Sequence, residues 1–173
     1  MDNLEHFGIP IYGIQFGLHH YEFELDNRFF EAFEDSPIQE GEYKARVECD
    51  KRENEFILNF SIEGRFQSAC DRCLADIKVP SAIEKMIWVK YSNESHPGGN
   101  SDIIYLEETE HIFNVADLLY ELVILSIPIV KRYDCDNDPN PKCDFKVLSY
   151  LKQENKESEK NSLADKFKDL RNL

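Results

Sequence analysis

The chain has little positive charge. Its 20 Lys and Arg stand against 34 Asp and Glu, a net charge of -14 over 173 residues. A surface of that sign repels phosphate, which argues against the whole surface docking on nucleic acid; any RNA contact needs a local cationic patch. It suits a basic partner better. Membrane-length apolar runs are also missing: the longest apolar stretch, Ile112 to Val130, is interrupted by Asn114, Asp117, Glu121 and Pro128, so no span is expected. The opening Met1-Asp-Asn-Leu-Glu-His6 is acidic and has no apolar core, so no secretory signal is expected. A soluble, cytoplasmic protein without a membrane partner follows. Catalytic signatures are absent as well. Pro97-Gly-Gly-Asn100 lacks the Gly-Lys-Ser/Thr ending of a phosphate loop, and no nucleophile elbow, His-Glu-x-x-His or paired-carboxylate motif appears. The expectation is a binding module, not an enzyme, with no small-molecule substrate.

What is present suffices for a folded core. The composition is 42% hydrophobic and 12% aromatic, with 12 Phe and 8 Tyr, which outweighs a mean hydropathy of -0.53. The length fits one α+β domain over 1–151 and a charged linker with a short amphipathic segment over 152–173. A first short strand is expected near Ile11 to Phe16, and a half-buried strand over His19 to Asp26, with Tyr21, Phe23 and Leu25 on one face. Asp26 or Asn27 then caps a short helix. Tyr43, Ala45, Val47 and Cys49 alternate with polar residues, as do Phe56, Leu58, Phe60 and Ile62 after a polar turn. This is an antiparallel hairpin. Gly64 reads as a bulge. A further long strand follows Cys73, with Pro80 at a bend or edge. Ser92 to Ser101 forms a flexible loop, and Ile103 to Leu106 a short strand. Asn114 caps a helix that buries Leu118, Leu119 and Leu122 and stops before Pro128. The fold class is therefore α+β: a twisted antiparallel sheet or partly closed β-barrel built from long hairpins, one packed amphipathic helix and a flexible C-terminal tail carrying Leu163, Phe167 and Leu170.

Five cysteines in a reducing compartment favour thiols or metal ligands over disulfides. Cys70-Asp-Arg-Cys73 sits at the tip of a hairpin, and Cys135 and Cys143 lie in a polar, Pro-broken loop downstream. A Cys-x-x-Cys turn gives two thiolates to one zinc with little strain, and four thiolates close the site into a structural centre. The expectation is zinc held by Cys70, Cys73, Cys135 and Cys143, stapling hairpin to loop. Two unmetallated thiol pairs and a redox dithiol at Cys70–Cys73 are the competing readings. Cys49, on an apolar strand face, reads as core. His19 and His20 face opposite sides of a strand and suit surface roles. Arg65 and Arg72 flank the first cysteine pair, and Lys131, Arg132 and Lys142 flank the second. If the pairs converge, these cations form the local patch that RNA or another partner would contact.

Cys70-Asp-Arg-Cys-Leu74, the helix Asn114-Val-Ala-Asp-Leu-Leu-Tyr-Glu-Leu122, its exit Leu125-Ser-Ile-Pro-Ile129, the loop ending at Cys143 and the terminal Ala164-Asp-Lys-Phe-Lys-Asp-Leu170 together resemble the YceD family, the large ribosomal RNA subunit accumulation proteins. The similarity runs from about Ile14 to the end. Cys70, Arg72 and Cys73 match the family's Cys-x-Arg-Cys, Cys143 matches its late cysteine, and Cys135 falls where other members often carry His. The resemblance implies a non-enzymatic accessory role in synthesis, processing or stability of large-subunit ribosomal RNA, with RNA or a basic ribosomal protein as partner. A thiol-based redox or stress-responsive protein using Cys70 and Cys73 is the alternative.

Overall fold

Period-two alternation shapes most of the chain. The structure is a computed structural model that describes residues 4–92, 102–107, 109–134 and 137–150. After a single 3-10 turn at Glu5–Phe7 come β1 (Gly8–Pro10), β2 (Gly17–Leu25), α1 (Asn27–Glu31), β3 (Gly41–Lys51), β4 (Glu55–Ala69), β5 (Asp76–Tyr91), β6 (Ile103–Leu106), β7 (Ile112–Asn114) and α2 (Ala116–Ser126). Strands β2-β3-β4-β5-β6 form one sheet in that order, and β1 pairs with β7 in a second. The α+β class and the mostly antiparallel sheet agree with the sequence pattern. Among the described residues the larger sheet stays open, so the open sheet is realised and not the partly closed barrel.

The chain divides into two compact units. The first comprises Met1–Gln67 and Lys78–Ile129, the second Ser68–Ile77 and Val130–Leu173. The linker expected from residue 152, and the apolar positions Leu163, Phe167 and Leu170, lie outside the described residues, as does the loop expected after Ser92.

In the first unit, alternation and burial agree. Tyr43, Ala45, Val47 and Cys49 of β3 are buried, as are Phe56, Leu58, Phe60 and Ile62 of β4. The β3–β4 register runs unbroken from Gly41↔Phe66 to Lys51↔Phe56. Gly64 is therefore no bulge. A Cβ there would stand 2.3 Å from the Glu42 carbonyl oxygen and 2.5 Å from the Tyr43 ring, so glycine serves a close approach instead. The Tyr43 hydroxyl in turn meets Ser81 Oγ of β5 at 2.8 Å. Ser126 Oγ of α2 meets Ser81 Oγ at 3.0 Å, which ties the helix end to the sheet. Leu119 and Val123 of α2 have no exposed surface, and Tyr120 stacks on Phe33 with centroids 3.9 Å apart.

The α1 cap falls where the sequence places it, whereas the N-cap of α2 is Val115, one residue past the expected Asn114, and makes no side-chain cap bond. The Asp26 carboxylate accepts from Arg28 N–H and Phe29 N–H to start α1. Asn114 Oδ1 accepts from Ala116 N–H at 2.8 Å, and α2 ends at Ser126, ahead of Pro128. Pro80 lies on β5 away from 88–91, the stretch that β6 pairs with, so its missing N–H fits an open side. Two details differ from the sequence reading. The strand expected over Ile11 to Phe16 is not formed: β1 is Gly8–Pro10, and Gly13 takes φ of 80°, which an extended strand does not accommodate. And β6 runs parallel to β5, Trp88↔Ile103 to Tyr91↔Leu106.

Candidate functional site

Hairpin geometry creates the candidate site in the second unit. β4 ends at Ala69 and β5 begins at Asp76, so Cys70 to Ala75 must reverse the chain. Leu74 makes the reversal by taking φ 58°, a left-handed conformation that costs a side-chain-bearing residue about 1–2 kcal/mol. Its N–H donates to the Cys70 carbonyl at 2.9 Å, and Cys70 N–H to the Ala75 carbonyl at 2.8 Å. The turn then presents Leu74 to solvent, 65% exposed, while Cys70 and Cys73 have no exposed surface.

The post-helix loop is hydrogen-bonded to this turn. Asp71 N–H donates to the Lys131 carbonyl at 2.8 Å, and Lys131 N–H donates back to the Asp71 carboxylate at 2.6 Å. Tyr133 N–H donates to Cys70 Sγ at 3.4 Å. Further along, the Tyr133 hydroxyl donates to Asp138, and Asp144 Oδ1 accepts from Lys146 N–H at 2.8 Å, capping a helical stretch over 145–150.

These contacts set the chemistry of Cys70. Burial pushes its thiol up, but hydrogen bonds from Arg72 N–H, Cys73 N–H and the Cys73 thiol outweigh burial and the repulsion of Asp71, and the net shift is downward. With Tyr133, three backbone N–H groups reach the sulfur. Such a nest favours thiolate over thiol, which is the form that metals and disulfides take up. Cys70 and Cys73 are both free thiols.

The structure thus places Cys70, Arg72, Cys73, Lys131, Arg132, Lys142 and Cys143 in one unit. Cys135 lies outside the described residues. Cys143, 7% exposed, is disulfide-bonded, so a four-thiolate site needs it reduced. Among the described residues no group of three or more His, Cys, Asp or Glu side chains is arranged to hold a metal ion. Donor chemistry at Cys70 and Cys73 nonetheless fits two positions of a zinc site: two adjacent reduced sulfurs, one acidified, with N–H groups to support its charge. Arg65 belongs to the first unit, where it pairs with Glu42 at 3.1 Å. His20 sits 3.5 Å from Glu48 and His19 Nε2 meets the Gln15 carbonyl at 2.9 Å, both on the surface as expected. Asp71 and Tyr133 are the residues that sequence reasoning passed over. The Asp71 carboxylate is spent on the Lys131 N–H.

Charge divides sharply between the units. Of the 34 acidic and 20 basic side chains, 23 and 9 belong to the first unit's residues, and 11 and 11 to the second's. The entire net charge of -14 therefore belongs to the first, and the second is neutral.

A mostly antiparallel sheet with a packed helix, joined to a hydrogen-bonded Cys-x-x-Cys turn, defines a class of α+β protein whose distinctive chemistry lies in its thiols. The family model for the large ribosomal RNA subunit accumulation protein YceD matches residues 58–173, and the chain belongs to that family. The match begins within β4, later than the resemblance from Ile14 suggested. No curated protein and no solved structure matches the chain. No helix among the described residues is long and apolar enough to cross a membrane.

Proposed function

We propose that the protein is a non-enzymatic accessory factor in large-subunit ribosomal RNA synthesis, processing or stability, working in the cytoplasm by binding RNA, a basic ribosomal protein, or both. The second unit is the part that meets RNA. One observation carries this reading: the unit with the Cys-x-x-Cys turn is electroneutral while the other bears all the net negative charge. Phosphate is repelled by the first and tolerated by the second, where Arg72, Lys131, Arg132 and Lys142 supply local positive charge. Zinc on Cys70, Cys73, Cys135 and Cys143 would hold turn and loop together and fix these cations in place; its contribution is structural.

A second reading has its own support. Cys143 is disulfide-bonded and the Cys70 thiol is acidified, both of which suit a thiol-based redox or stress-responsive protein. The experiment for the main reading is gradient sedimentation of cell extracts, with the deletion strain's ribosomal RNA analysed alongside. The protein should travel with large-subunit precursors, and its loss should deplete large-subunit RNA. Absence from every ribosomal fraction with normal RNA levels would refute it.

A further inference from the structure

The edge of the larger sheet carries an observation that the proposed function does not use. β2 is hydrogen-bonded to β3 alone, in unbroken register from Gly17↔Lys51 to Leu25↔Tyr43. No backbone hydrogen bond reaches its other side among the described residues. Nine residues at about 3.3 Å each leave an open edge of about 30 Å. Proteins usually blunt such an edge with proline, lysine, a bulge or a short strand, because it templates pairing with another chain. β2 has none of these. Its residues from Gly17 to Glu24 are all exposed or half-buried, and Phe16 and Leu18 at its start are 71% and 56% exposed. The ionisable groups on its solvent face are His20, Glu22 and Glu24; Glu22 pairs with Arg46 of β3 at 3.6 Å and Glu24 stands opposite Lys44 in the register, so the acidic charge that selects a partner is that of the unit as a whole. It also precedes Leu58, where the family match starts.

We propose that β2 is a docking edge for an extended, lysine- or arginine-rich peptide segment of a partner protein, which adds as a sixth strand. Main-chain hydrogen bonds along the edge would supply affinity, and alternate side chains specificity. Charge selects this occupant. The first unit's side chains sum to -14, so a second copy of this chain would bring like charge against like, and an RNA strand would do the same. A basic strand meets Glu22 and Glu24 on the solvent face and Phe16 and Leu18 at the end.

The inference rests on the reading that one partner is a basic protein. Its test uses the full chain and a synthetic peptide of about nine alternating lysine and valine residues, with a lysine–proline peptide of equal charge that cannot form a strand. Hydrogen exchange by mass spectrometry gives the location. The lysine–valine peptide should bind about tenfold more tightly than the lysine–proline one, and should slow exchange at residues 17–25. Reversing Glu22 and Glu24 to Lys, two exposed positions, should weaken binding about tenfold. Equal binding of both peptides, protection confined to other residues, or β2 already protected in a peptide-free dimer would overturn the proposal, the last in favour of a second copy. Intact association with ribosomal precursors without peptide binding would reject this inference alone; peptide binding without that association would reject the proposed function alone.

Discussion

Cys49 lies on β3 with no exposed surface, and burial, aided by Asp50, raises its thiol from the ordinary 9.0 to about 11. Cys70 also has no exposed surface, yet its thiol moves down, because hydrogen bonds from Arg72 and Cys73 outweigh its burial. The apolar alternation of β3 identified Cys49 as core correctly. The difference from Cys70 was not legible, since one of its donors, Tyr133, lies 63 residues away. The same applies to Gly64: the pattern marks a glycine in a strand but does not show the Tyr43 ring that requires it. A thiol whose folded value exceeds its unfolded one stabilises fully below the unfolded value and loses that contribution as pH rises through the folded value. Cys49 should therefore cost the fold on the order of 2 kcal/mol between about pH 9 and 11. Tyr43, also raised by burial, adds alkaline sensitivity of the same sign. Urea unfolding of wild type and Cys49→Ala across this window should show the wild type losing more stability. Parallel losses would show that the Cys49 thiol is not held neutral.

At the scale of elements, the two hairpins and α2 were legible because periodicity two and periodicity 3.6 are written in consecutive residues. Direction was harder. No local pattern encodes the parallel pairing of β6 with β5. The turn and the post-helix loop were linked by the sequence only through matching chemistry, four cysteines in two pairs. The observed link is the reciprocal Asp71–Lys131 pair and the Tyr133–Cys70 bond. If zinc closes this link, protein purified reduced and without chelator should contain about one zinc per chain and show Cys70 and Cys73 unreactive to thiol reagents. Asp71→Ala, which removes the acceptor for Lys131 N–H, should speed their labelling after metal removal, since this exposed hydrogen bond contributes about 0.5–1.5 kcal/mol. No metal together with a readily cycled Cys70–Cys73 disulfide would favour the redox reading.

For the molecule as a whole, sequence reasoning treated the negative charge as spread over one domain. The division into two units changes its meaning, because the units are built from interleaved stretches, Ser68–Ile77 and Val130–Leu173 against the remainder, and no window along the chain sums them. Cations that looked dispersed, Arg72 beside Lys131, Arg132 and Lys142, belong to the neutral unit, and Arg65 to the acidic one. The central claim is that RNA meets the neutral unit and not the acidic sheet. Ultraviolet crosslinking of the protein on large-subunit precursors, followed by mass spectrometry of the crosslinked peptides, measures this directly. Nucleotide adducts are expected within residues 68–77 and 130–150. Adducts confined to the strands of the first unit, or none on a protein that co-sediments with the precursors, would contradict it.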